Sequence, residues 1–233
     1  MVDTVIFLVE CLGAISFALS GILVAIKRQA DAVGAFVLAM TTAFGGGMIR
    51  DLFLGITPPN LFTDPEMGIQ AAIALAIAMI CYFFAFFRRT AVFIDRHRND
   101  FMLNLFDAIG LGVFCVTGVN VAIGAGHADN VFLLVFMGCI TGVGGGILRD
   151  VFASAIPLVF RKHIYMLPAI LGSLIYIFGR RILPELAAML IAIGFIITVR
   201  ILAALFRWNL PVPKGNQPEN ENPGDGRSPE KRL

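Results

Sequence analysis

The sequence predicts an all-α membrane protein, with seven transmembrane helices arranged as two inverted three-helix repeats plus a seventh helix. Three observations lead there. The chain is 58 % hydrophobic and only 15 % charged, with a mean hydropathy of +0.85, far too apolar for a water-soluble domain. Seven residues occur twice: Gly45-Gly46-Gly47-Met48-Ile49-Arg50-Asp51 returns 99 positions later as Gly144-Gly145-Gly146-Ile147-Leu148-Arg149-Asp150. The basic residues are lopsided, falling in alternate loops between the apolar stretches.

Crossing a hydrocarbon core of about 30 Å takes about 20 apolar residues. Stretches of that kind run over residues 4–26, 32–54, 67–87, 101–123, 130–153, 163–179 and 183–206. Lys27 and Arg28 follow the first, Arg88, Arg89, Arg96 and Arg98 the third, Arg161 and Lys162 the fifth, and Arg207 and Lys214 the last. The N-terminus and the loops after spans two and four carry none, and only Arg180 and Arg181 after span six break the pattern. The positive-inside rule then puts the N-terminus outside and the C-terminus in the cytoplasm of an inner (plasma) membrane. An odd number of spans is required. No basic n-region precedes the first apolar run, so that run is expected to be a retained helix rather than a cleaved signal.

The repeat extends beyond the motif. In span one Glu10, Gly13, Phe17, Ser20-Gly21 and Ala25-Ile26 match Asp107, Gly110, Phe114, Thr117-Gly118 and Ala122-Ile123 in span four, at an offset of 97. The offset becomes 99 in the next span, where Thr42 matches Thr141 and Pro58 matches Pro157. Each unit is three spans long, 4–87 and 101–179, with 183–206 left over as a seventh helix. Three is odd, so the second unit enters from the opposite side, the inverted-topology architecture of transporters and channels.

Glycine costs a helix about 1 kcal/mol relative to alanine, and an ionisable group near the bilayer centre costs roughly 2.5 to 3.5 kcal/mol on the mildest scale. Spending both twice points to function. The triplets fall near mid-membrane and are expected to break spans two and five, which is tolerated only where the freed backbone is buried or lines a watery cavity. Thr42, Gly45, Gly46, Gly47, Arg50 and Asp51, with Thr141, Gly144, Gly145, Gly146, Arg149 and Asp150, are the candidate pathway residues. A competing reading rests on the ladders Ala39, Ala43, Gly47 and Gly138, Gly142, Gly146, whose spacing of four puts each on one face, where backbones can approach closely. Packing does not explain the Arg-Asp. Neighbouring residues on a helix point about 100° apart, so each is free to find its own partner. Matching depth pairs Glu10 with Arg50 and Asp107 with Arg149.

Elsewhere the chain is plainer. Pro58-Pro59 and Pro157 stop their helices after the motif. Span three and most of span six offer no polar interior and are read as scaffold facing lipid or another subunit. Arg200 lies six residues from the inner end of span seven, close enough to snorkel to the headgroups. Trp208 is an interface anchor, and the cytoplasmic tail at 207–233, rich in Pro, Asn, Gly and charge from Pro211, is expected to be disordered. Cys11, Cys81, Cys115 and Cys139 lack metal or disulfide spacing. His97, His127 and His163 fall singly in or beside loops. No cofactor, metal or nucleic-acid partner is expected.

Two copies of Gly-Gly-Gly-x-x-Arg-Asp in a 3+3+1 arrangement, with Ser20-Gly21, Asp107-Ala108-x-Gly110 and the trailing prolines, resemble the bacterial branch of the trimeric intracellular cation (TRIC) channel family, whose domain is also labelled a glycine transporter. The resemblance covers about residues 4–206. It implies a homotrimer in lipid, each protomer with its own pore, kinked at the triplets and passing monovalent cations, chiefly potassium. Family members often carry a basic residue in span four after a Gly-x-polar stretch; here Gly118-Val119-Asn120 is followed by Val121.

Without the resemblance the residues support a pathway for a small solute. Carbonyls at a glycine break suit a cation and half-helix N-termini suit a carboxylate, so a secondary transporter of glycine or another small zwitterion is the alternative. An enzyme is disfavoured: Asp51 and Asp150 each follow an arginine that would keep the carboxylate ionised, and Ile147 stands where a Gly142-x-Gly144 dinucleotide fingerprint needs its third glycine.

Overall fold

In the computed structural model the backbone is described for residues 2–88, 96–161 and 165–206. The side chains of Arg88, Arg96, His97, Arg98 and Arg161 lie outside the described residues, as do the expectations placed on Arg89, Lys162, His163, Trp208 and the tail at 207–233. The described elements are helical, with no strand among them: α1 Val2–Lys27, α2 Ala32–Phe53, α3 Asn60–Thr63, α4 Pro65–Arg88, α5 Arg96–Ala122, α6 Val131–Phe152, α7 Leu158–Arg161, α8 Met166–Gly179 and α9 Glu185–Leu205. A turn at Ile123–His127, with Gly126 at φ +92°, links α5 to α6 and leaves His127 exposed.

Six helices, α1, α2, α4, α5, α6 and α9, are long and apolar enough to cross a membrane, and this is an all-helical membrane protein. The sixth expected span is shorter than the others. Its helix, α8, has 14 residues, roughly 21 Å at 1.5 Å each, which falls short of the hydrocarbon thickness.

Local sequence sets the helix ends. Asp31 and Asn130, 99 positions apart, cap α2 and α6: the Asp31 carboxylate accepts from Gly34 N–H (2.7 Å) and the Asn130 side-chain oxygen from Leu133 N–H (3.0 Å). At the other end Ile56 N–H returns to the Asp51 carbonyl and Ala155 N–H to that of Asp150, the six-to-one bond of a Schellman close. That close needs a left-handed residue, supplied by Gly55 at φ +70° and by Ser154 at φ +51°.

The core is built on closeness. Helices α2 and α6 make the most extensive contact, with α1 and α5 packed beside them and α9 against α5 and α8. Small residues Ala14, Ala18, Ala35, Ala39 and Ala43 face Phe17, Leu111, Cys115, Cys139 and Val143 in the interior. Lipid gives helices no hydrophobic drive to associate, so such contacts work by dispersion at short range. The four cysteines are free thiols, three of them buried.

Both α2 and α6 run as unbroken helix through their triplets, so the expected break is absent. A methyl group on Gly46 would strike the Thr141 carbonyl oxygen, and one on Gly145 the Thr42 carbonyl oxygen; Gly144 lies on the Gly46 Cα. The glycines let two backbones touch, and the neighbouring backbone fills the space that a side chain would take. Tertiary contact outweighs poor helix propensity here.

Candidate functional site

Each Arg-Asp pair closes on itself. Arg50 Nε donates to Asp51 Oδ1 at 2.8 Å, and Arg149 Nε to Asp150 Oδ1 at 2.8 Å. The second carboxylate oxygen leaves the helix: Asp51 Oδ2 accepts from Asn60 N–H and Asp150 Oδ2 from Leu158 N–H, both at 2.8 Å. Each aspartate thus ties its own helix end to the first residue of the short helix beyond, α3 or α7. The 100° between neighbours did not separate them, because the arginine stem is long enough to fold back along the helix.

Beyond that shared corner the two sites differ. At the second, Asp107 and Arg149 are both fully buried and meet as expected, Arg149 Nη1 to Asp107 Oδ1 at 2.9 Å. Arg149 Nη1 also bonds Ser20 Oγ, and the Tyr165 hydroxyl donates to Asp107 Oδ2 at 2.6 Å. Arg200 does not snorkel. It is buried, lies 3.4 Å from Asp107 Oδ2, and stacks over the Tyr165 ring at 4.0 Å. Asp107 attracts it more strongly than the headgroups do, because a cation beside a buried carboxylate needs no water. The space among Gly146, Arg149, Asp150 and Tyr165 leaves no volume for a water molecule.

At the first site the expected Glu10 to Arg50 pair is not formed. Glu10 accepts instead from Gln70 Nε2 (3.2 Å) and Thr117 Oγ1 (3.1 Å). Gln70 therefore corrects the reading of span three as lacking a polar interior. Arg50 is 1 % exposed and finds only Asp51; its Nη2 touches Asp51 Oδ1 at 2.7 Å but makes no hydrogen bond. Between the two charges lies a cavity of about 150 Å³, bounded by Gly47, Thr141, Val121, Asn60 and Asp64 as well. Glu10, Asp51 and Asp64 face one arginine there, a formal surplus of two negative charges. At the second site Asp107 and Asp150 are balanced by Arg149 and Arg200.

The remaining expected residues divide by position. Gly47 borders the cavity and Gly146 the filled site, whereas Gly45 packs on Leu148 and Gly46, Gly144 and Gly145 form the crossing. Thr42 and Thr141 are buried, each hydroxyl bonded to a carbonyl of its own helix, Leu38 and Met137. Ser20, Asn60, Gln70 and Tyr165 were not expected at the sites. Ser20 carried a signal, as the repeat mate of Thr117, and Gln70 stood out as an amide inside an apolar run.

The glycine transporter family model matches the chain twice, over residues 7–86 and 104–181. The chain belongs to this family. It is 35 % identical to the inner membrane protein YadS of Escherichia coli K12, over 92 % of this chain and 98 % of that one, and 34 % identical to the membrane protein YvgT of Bacillus subtilis, over 88 % and 94 %. Among solved structures it is similar to a TRIC cation channel described for its conductance (34 % identity, TM-score 0.74, covering 90 % of this chain and 98 % of that one). It also resembles the trimeric intracellular cation channel orthologue from Rhodobacter sphaeroides (30 %, TM-score 0.76, 88 % and 99 %). These neighbours are ion channels, not enzymes.

Proposed function

We propose that this chain is a monovalent cation channel of the inner membrane, conducting chiefly potassium, as a homotrimer with one pathway in each protomer. The observation that carries the reading is the cavity at the first motif, where three carboxylates face one guanidinium. That surplus attracts a cation and repels an anion. The pathway follows the motif faces of α2 and α6, past Gly47, Arg50, Asp51 and Thr141 on one side and Gly146, Arg149 and Asp150 on the other. The likeness to TRIC cation channels supports the same conclusion.

The architecture we propose is two inverted units, 4–87 and 101–179, plus a seventh helix at 183–206, with α8 completing the sixth crossing. The reciprocal contacts of Gly46 with Thr141 and Gly145 with Thr42, and the matched caps, support a two-fold relation. The basic loops put the N-terminus outside and the C-terminus, with the tail at 207–233, in the cytoplasm. The test is reversal-potential measurement on reconstituted protein in KCl and NaCl gradients. A potential following the potassium gradient is expected, with discrete conductance steps; flux without steps would make the protein a carrier.

A further inference from the structure

The two motifs share a corner and an acid, and what sets them apart comes from outside the duplication. The seventh helix, α9, lies beyond both stretches that match the family model, 7–86 and 104–181, so no residue of the first unit corresponds to Arg200. At the first motif Glu10 bonds the neutral groups of Gln70 and Thr117. At the second its mate Asp107 meets two cations, and they are held differently. Arg149 is fixed: it bonds Asp107 at 2.9 Å, Asp150 at 2.8 Å and the Ser20 hydroxyl. Arg200 is held loosely. Its Nη2 stands 3.4 Å from Asp107 Oδ2, its buried Nε has no hydrogen-bond partner, and its guanidinium lies flat over the Tyr165 ring at 4.0 Å.

We propose that the Arg200 guanidinium is a tethered counter-ion: it occupies, beside Asp107, the place a permeant cation takes, and so holds the inner half of the pathway shut. The inference rests on the cation-channel reading. Charge is the first reason. Without Arg200, Asp107 and Asp150 face only Arg149 among the described residues, a surplus of negative charge such as draws a cation to the first motif. With Arg200 the site is neutral, and the dehydration of an entering ion goes uncompensated. Space is the second reason. The second site has no volume for a water molecule, whereas the first keeps about 150 Å³. Arg200 also has a second place to stand. It lies six residues from the inner end of span seven, roughly 9 Å along the axis, near enough for its long stem to snorkel to the headgroups. Leaving Asp107 for that interface uncovers the acid and vacates the volume of a guanidinium. One position closes the pathway and the other opens it.

The test uses the full-length protein in planar bilayers with KCl, beside thermal melts of the same preparation in detergent. Arg200→Ala should raise the open probability at least tenfold over wild type. Guanidinium at millimolar concentration, too dilute to denature, should refill the vacated place, suppressing Arg200→Ala openings and sparing the wild type; in melts it should stabilise Arg200→Ala relative to choline and leave the wild type unmoved. Arg200→Lys keeps the charge and the fold but not the flat stack on Tyr165, so its open probability should fall between, at least threefold above wild type. It carries the test if the alanine variant fails to assemble. A lower melting temperature with an open probability unchanged from a conducting wild type would make Arg200 a packing ion pair only, overturning the proposal and leaving the channel reading intact. Guanidinium that acts alike on variant and wild type would overturn it too, and conductance from neither form would overturn both readings.

Discussion

Neutralising Asp107 should cost far more than neutralising its repeat mate Glu10, although the two acids occupy matching places in the repeats, because Glu10 is only half-buried. Asp107 is fully buried and faces Arg149, Arg200 and the Tyr165 hydroxyl. In Asp107→Asn, Arg149 keeps Asp150 as its one charged partner, with the Ser20 hydroxyl beside it, and Arg200, whose Nε already lacks a partner, keeps only the Tyr165 ring. Orphaning a buried charge costs about 3 to 5 kcal/mol. Glu10 bonds only the neutral groups of Gln70 and Thr117, and glutamine preserves an acceptor, so Glu10→Gln should cost about 0.5 to 1.5 kcal/mol, the worth of one hydrogen bond. Thermal unfolding in detergent, followed by the loss of the native oligomer peak, ranks the two. Adding Arg200→Gln to Asp107→Asn should recover part of the loss, because one orphaned cation is gone, with a coupling of about 0.5 to 3 kcal/mol. Equal losses from the two acids, or strict additivity in the double variant, would refute the ion-pair geometry at both sites.

Gly46→Ala and Gly145→Ala should each destabilise by about 1 to 3 kcal/mol through overpacking against a backbone carbonyl, while Gly68→Ala, with open space around it, should be neutral or mildly stabilising in the same melts. Ser154→Gly should stabilise by about 0.5 to 1 kcal/mol, since glycine accepts φ +51° without the steric cost a side chain brings; no gain in melting temperature would contradict this. Cysteines placed in the 55–66 loop should label from outside intact cells, whereas those at 88–100 should not, and the reverse pattern would invert the proposed topology.

The Asp107 to Arg149 pair was legible because depth alone put both residues in one half of the membrane. The same reasoning failed for Arg50. There Glu10 bonds Gln70 and Thr117 instead, two neutral donors that charge matching does not consider. Arg200 was misplaced because its distance from a helix end says nothing of the carboxylate opposite, which sits on a helix 93 residues earlier. The triplets were read by their cost to a lone helix, and that cost vanishes when a second backbone fills the groove. The helices, their caps and the duplicated corner were written in local sequence. The contrast between one open and one filled site came from Tyr165 and Arg200, which belong to no shared motif.

The contact at Gly46 and Gly145 has a mechanical meaning. Two stiff rods whose backbones meet at one place, with no side chain between them there, have a fulcrum at that place. Rocking α2 on α6 about that point opens the gap at one end as it closes the gap at the other, like a seesaw. Lengthening the separation with a methyl group would shift the pivot and add slack to both arms. A backbone-to-backbone joint leaves little to compress, so a displacement where one motif sits is expected to reach its twin with reversed sign.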